Sequence, residues 1–124
     1  RAGVPMVMVG HLLYPAIDPE NPASMSPQAI RLLRERLGFD GVVITDDLAM
    51  AGARQGGSVA RAAVRAVSAG ADMLIVSSPP PQQAEAYDAL VRAVRSGGIP
   101  ERQVRASVRR IVEMKEDYNL YARH

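Results

Sequence analysis

Gly41-Val42-Val43-Ile44-Thr45-Asp46-Asp47-Leu48-Ala49-Met50 decides how this 124-residue chain is read. An apolar, β-branched run passes straight into two adjacent carboxylates. That is the pattern of a buried strand whose last residues carry acid groups into solvent. In parallel α/β architectures the carboxyl ends of the strands are where chemistry sits. Asp46 and Asp47 are therefore candidate catalytic groups by position. Neighbouring strand residues point to opposite sides, so the two should not enter one mouth in the same way. The residues alone do not say which of them does.

Upstream, Val4 to Gly10 is a second short apolar run suited to a strand covered on both faces. A Pro-rich loop from Leu12 to Met25 follows it, with Pro15, Pro19 and Pro22. Ser26-Pro27 reads as an N-cap with proline at the first helical position. Ile30, Leu33 and Leu37 recur at helical spacing before Gly38 stops the helix. Downstream, Gly52, Gly56 and Gly57 mark a flexible loop, and Ser58 caps a helix that carries Val59, Ala63, Ala66 and Val67 and ends at Gly70. Asp72 to Val76 is the third strand. A helix from about Gln82 to Arg95 follows, closed by Gly97-Gly98, and a last one spans Glu101 to Tyr118 with Val104, Val108, Ile111 and Val112 predicted to face inward.

About three strands alternating with four helices imply parallel strands joined by right-handed crossovers. Three strands would leave two long apolar edges, which soluble proteins avoid. The pattern thus suggests a compact open sheet or, preferably, one part of a larger closed barrel. No second domain or low-complexity segment interrupts residues 1–124.

Composition removes several function classes. Without cysteine there is no disulfide or thiolate chemistry. The two histidines, His11 and His124, make no metal-binding pattern, so neither a metal nor a cofactor is expected. Fourteen arginines and one lysine, Lys115, are scattered rather than striped, and only one Phe and no Trp accompany them, which argues against nucleic acid. No apolar run approaches a membrane span. No signal peptide is visible, but the chain does not begin with Met and reads as internal to a longer polypeptide. The compartment stays open, with the cytoplasm preferred over secretion.

Four segments carry a resemblance. They are Val7-Met8-Val9-Gly10-His11 with Tyr14-Pro15-Ala16-Ile17-Asp18; Pro22-Ala23-Ser24-Met25-Ser26; Leu33 to Met50; and Ala69-Gly70-Ala71-Asp72-Met73-Leu74 with Ser107-Val108-Arg109-Arg110-Ile111. Together they resemble the C-terminal part of the catalytic (β/α)8 barrel of family 3 glycoside hydrolases, in the β-N-acetylhexosaminidase branch. The run from Leu33 to Met50 is the most diagnostic. The resemblance implies retaining hydrolysis of β-N-acetylglucosaminides from cell-wall muropeptides, with peptidoglycan recycling as the setting. It chooses Asp46 as the nucleophile and leaves Asp47 as an acceptor for loop N–H groups. It also implies a carbohydrate substrate as partner, together with the remaining barrel segments of a parent chain or of another copy.

Other residues are read more plainly. His11, at a strand end, either lines the sugar pocket or is a hydrogen-bonded loop histidine; both readings stay open. Met50 resembles a residue flanking the sugar subsite, and a packing role is equally compatible. Arg54 is better read as a solvated loop arginine than as a muropeptide contact. Asp18 and Glu20 read as surface acids, and His124 is given no role. The family's upstream sugar-binding segment and its Asp-x-His acid/base loop are absent from these residues. The 124-residue chain is therefore expected to be inactive alone. The alternatives are a non-catalytic βα assembly or binding domain, a receiver-like module and a phosphate-binding barrel end. The receiver reading lacks a lysine at a strand end, and Ser77 to Pro81 lacks a glycine-rich phosphate cradle.

Overall fold

A computed structural model describes residues 3–55 and 57–121. Gly56 of the glycine-marked loop and His124 lie outside them. Three parallel strands form the sheet: β1 (Met6–Val9), β4 (Val42–Asp47) and β5 (Met73–Ile75), in the order β1-β4-β5. Met6 pairs with Val42, Met8 with Ile44 and Val9 with Thr45. Ile44 pairs with Met73 and Asp47 with Ile75, with an irregularity between those pairs.

The helices pack on one side of this sheet. They are α1 (Pro27–Arg31), α2 (Ala51–Arg54), α3 (Val59–Ala69), α4 (Pro80–Arg95) and α5 (Glu101–Asp117). Val43 and Val9 pack with Ile30, Leu33, Phe39 and Ala69, while Leu74 and Val76 join a core of Met25, Leu48, Ala53, Val59 and the alanines of α3. Alternation then places Met6, Met8, Ile44 and Met73 on the opposite face. There Val42 is fully buried, but Met8 is 56 % exposed. The apolar sheet face is thus open toward the carboxyl ends of its strands, and β1 and β5 each pair with one neighbour. This is an α/β fold of parallel βα units, the C-terminal part of a TIM-type barrel.

Local chemistry sets the helix ends. Ser26 accepts from the Ala29 N–H at 3.1 Å, with Pro27 at the first position, and Ser58 accepts from the Arg61 N–H at 3.2 Å. Gly70 closes α3 at φ +115°, a conformation a Cβ would strain. After Arg31 the helix widens into a π-helical turn over Leu32–Arg36 before Gly38 ends it at φ +63°.

Four expectations need correction. The Pro-rich loop contains an antiparallel ladder of β2 (Leu13–Tyr14) and β3 (Asp18–Pro22), because prolines are tolerated in a two-stranded edge. The glycine-marked loop contains the short α2. Helix α4 begins at Pro80 rather than Gln82, since Pro80 and Pro81 fill first-turn positions that need no N–H donor. In α5, Val108 is 52 % and Val112 37 % exposed. That helix is docked by polar anchors instead of a valine stripe. Ser107 Oγ and the Arg110 guanidinium both donate to Asp72 Oδ1, at 2.7 and 2.8 Å, and Gln103 Nε2 donates to the Val67 carbonyl.

Candidate active site at the end of strand β4

The irregularity between β4 and β5 falls where the two carboxylates begin. The Ile75 N–H is received by the Thr45 hydroxyl at 3.3 Å, and the Ile75 carbonyl accepts from the Leu48 N–H at 2.9 Å. A ladder broken in this way re-aims the side chains at a strand end. Thr45 itself is fully buried and holds the irregularity from within.

The two acids differ in what they bond. Both oxygens of Asp47 are engaged: Oδ1 accepts from the N–H groups of Ala49 and Ser77, each at 3.0 Å, and Oδ2 accepts from the Ser77 hydroxyl. The Ser77 hydroxyl, then the Ala49 and Ser77 N–H groups, hold this carboxyl below its ordinary value, and the charge of His11 adds to them against a small penalty from burial. Asp47 is therefore the loop acceptor expected of it. Asp46 accepts only through Oδ1, from the Asp47 N–H at 2.7 Å; among the described residues Oδ2 takes no hydrogen bond. One carboxylate is spent on structure and its neighbour keeps an oxygen available.

His11 lies beside them. Its Nε2 is 2.9 Å from the Asp47 carbonyl oxygen and its Nδ1 is 2.7 Å from Ser24 Oγ. A carbonyl only accepts, so Nε2 carries a proton, and in the neutral ring Nδ1 receives the Ser24 hydroxyl proton. Both ring nitrogens are thus committed to the protein. Met50, the N-terminal flank of α2, is 49 % exposed, and its N–H donates to the same Asp47 carbonyl at 3.1 Å. The structure brings Asp46, Asp47, His11 and Met50 together around one strand end. Arg54 is exposed, on α2.

Asp18 is a correction. Rather than a surface acid it is 4 % exposed, and it accepts from Asn21 Nδ2 and from the N–H groups of Glu20 and Asn21 at 3.0–3.2 Å. Its carboxyl is held below the ordinary value, chiefly by the Asn21 side chain and also by Ser26. Arg65 reaches Asn21 Oδ1 at 2.9 Å and Gln55 Oε1 at 2.7 Å, tying the β2–β3 ladder and α2 to α3. Ser24 and Ser77 were not singled out from the sequence; the one available signal was that Ser77 directly follows an apolar strand. Among the described residues no group of three or more His, Cys, Asp or Glu stands together to hold a metal ion, and no helix is long and apolar enough to cross a membrane. A groove of about 370 Å³ lies elsewhere, between α4 and α5, with Asp72 among its walls.

Residues 1–114 match the glycosyl hydrolase family 3 N terminal domain. The chain is 40 % identical over 103 residues to a beta-hexosaminidase of Methylococcus capsulatus, covering 82 % of this chain and 30 % of that protein. It is 43 % identical over 88 residues to a beta-hexosaminidase of Bordetella parapertussis, covering 70 % and 25 %. Among solved structures, a family 3 beta-N-acetylglucosaminidase from Paenibacillus superposes with TM-score 0.88 at 44 % identity, over 92 % of this chain and 22 % of that one. A beta-N-acetylhexosaminidase from Beutenbergia cavernae gives 0.85 at 38 % identity, over 93 % and 34 %. The chain thus spans about a third or less of these relatives. Sequence match, barrel-type fold and a strand ending in paired carboxylates agree: the chain belongs to glycoside hydrolase family 3.

Proposed function

We propose that the polypeptide carrying this chain hydrolyses terminal β-N-acetylglucosaminides, muropeptide fragments among them, by a retaining double displacement with Asp46 as nucleophile. The observation that carries this reading is the contrast between the two acids: Asp47 is consumed by Ser77 and Ala49, while Asp46 keeps an oxygen free at the strand end. In the first step an Asp46 oxygen attacks the anomeric carbon, the glycosidic C–O bond breaks, and the departing oxygen takes a proton from a donor outside this chain. In the second, water attacks the same carbon, gives up its proton to that group, and releases Asp46 as a carboxylate. Met50 and the ring edge of His11 would border the sugar. Three strands do not encircle a mouth, so the concave site needs the rest of the barrel.

The test uses the full-length polypeptide with a chromogenic N-acetylglucosaminide. Asp46→Ala should abolish turnover and the covalent glycosyl-enzyme seen by mass spectrometry with a 2-fluoro sugar; turnover at the unaltered rate removes Asp46 from the reaction. The 124-residue chain alone should give no product. A second reading, a non-catalytic βα assembly unit, draws on the open face around Met8 and the unpaired edges of β1 and β5. A full-length polypeptide that turns over no glycoside but self-associates through this region would favour it.

A further inference from the structure

Resting on the assignment of Asp46 as nucleophile, we propose that His11 is a positioning residue for that carboxylate. It acts through the Asp47 carbonyl, with the buried Ser24 setting its ring, and needs no bond to the sugar.

The β1–β4 ladder ends at the pair Val9–Thr45, one residue short of Asp46. Beyond that pair the main chain of β4 has lost its β1 partner. Among the described residues, the hydrogen bond from His11 Nε2 to the Asp47 carbonyl takes over on that side. The carbonyl receives a second donor, the Met50 N–H at 3.1 Å. The Asp47 carboxylate is meanwhile held by Ala49 and by Ser77 at the end of β5. Asp47 is therefore fixed from β1, from β5 and from the turn into α2. Its own N–H is the single protein donor on Asp46, at 2.7 Å. The direction of that N–H follows the torsions of Asp47, so whatever pins the Asp47 carbonyl also sets the Asp46 carboxylate.

The ring is held in turn. Ser24 is fully buried, and its segment is tied back to the chain after β1 by the bond from the Ser24 N–H to the Gly10 carbonyl at 3.2 Å and from the Ala23 N–H to the Leu12 carbonyl at 2.9 Å. On another side, a Cβ placed at Gly52 would stand 3.3 Å from His11 Cβ, so α2 closes directly over the residue. Few alternative rotamers remain to a ring confined in this way, and a misplacement of about 1 Å at the reacting atoms costs on the order of a hundredfold in rate.

The two amide replacements separate the two bonds. His11→Gln can place an N–H near the Nε2 position and keep the bond to Asp47. His11→Asn reaches only as far as Nδ1 and loses it. In the full-length polypeptide, His11→Asn should lower kcat for an aryl N-acetylglucosaminide by roughly 10- to 100-fold with KM changed less than about twofold, and His11→Gln should recover most of that loss. Thermal melts should show both variants folded. The proposal is overturned if KM rises while kcat holds, which would make His11 a sugar contact. It is also overturned if Gln and Asn are equally impaired, or if neither variant changes the rate. Asp46→Ala assayed alongside keeps the two claims apart. Were it active, the nucleophile reading would fall; were it inactive and His11→Asn unimpaired, only the role of His11 would.

Discussion

Asp72 is where this fold is most exposed to a single substitution. Its side chain is fully buried, yet it carries a charge shared by two elements: Arg34 meets Oδ2 at 2.6 Å and Arg110 meets Oδ1 at 2.8 Å. The Val43 N–H adds a bond to Oδ2 at 2.9 Å and Ser107 one to Oδ1 at 2.7 Å. Asp72→Ala strands two largely buried guanidiniums and leaves a strand N–H unpaired. Breaking a buried ion pair from one side costs about 3–5 kcal/mol, against a total stability on the order of 5–15 kcal/mol for a domain. With a urea slope of about 2 kcal/mol per M, the midpoint should fall by roughly 2 M. Far-UV circular dichroism at neutral pH measures this. A fall below about 0.5 M would refute the reasoning, because it would mean the arginines are adequately solvated without Asp72.

The same carboxylate gives a pH signature. Burial pushes its pKa up, but the bonds from Arg110, Val43 and Ser107 and the Arg110 charge outweigh burial and hold it below 3.8. A group depressed in the native state binds protons more readily when unfolded. Its contribution is therefore complete above the unfolded value and is lost as pH falls through the native one. The stability gap between the natural chain and Asp72→Asn should narrow on acidification below about pH 4 and stay level above about pH 5. A gap unchanged into acid would assign the effect to shape rather than charge.

Two further substitutions probe how the strand that ends in Asp46 is seated. A Cβ at Gly41 would come within 2.5 Å of the Pro5 carbonyl oxygen and 2.8 Å of Phe39 Cζ, so Gly41→Ala should destabilise by about 1–3 kcal/mol through overpacking, and an unchanged melting temperature would contradict the close approach. Thr45→Val removes the hydroxyl that receives the Ile75 N–H; a loss of about 1–3 kcal/mol in denaturant titration is expected, and no loss would show that the irregular ladder does not depend on that hydroxyl.

Several features were legible in the residues because their causes are local. Ser26, Ser58 and Gly70 act on N–H and C=O groups within a few positions of themselves. Apolar runs of strand length announced β1, β4 and β5. The orientation of α5 was not legible, because its valines offered a plausible stripe while the actual anchors, Ser107 and Arg110, answer to a carboxylate 35 and 38 positions away. Asp18 was misread for a related reason: charge suggests solvent, and only the chain folding over it revealed that Asn21 and two N–H groups satisfy it.

The amino-acid sequence by itself determined the βα alternation, the helix caps, the family and the strand that ends in two acids. All of these follow from short-range pattern. Tertiary structure alone decided how those acids differ. Ser77 comes from the next strand and claims Asp47, His11 comes from the previous one and takes its carbonyl, and Asp46 is left with one oxygen unclaimed. Such a division depends on donors 30 and 36 positions distant arriving at one point, and chain closure over that span is set by packing, not by any local preference.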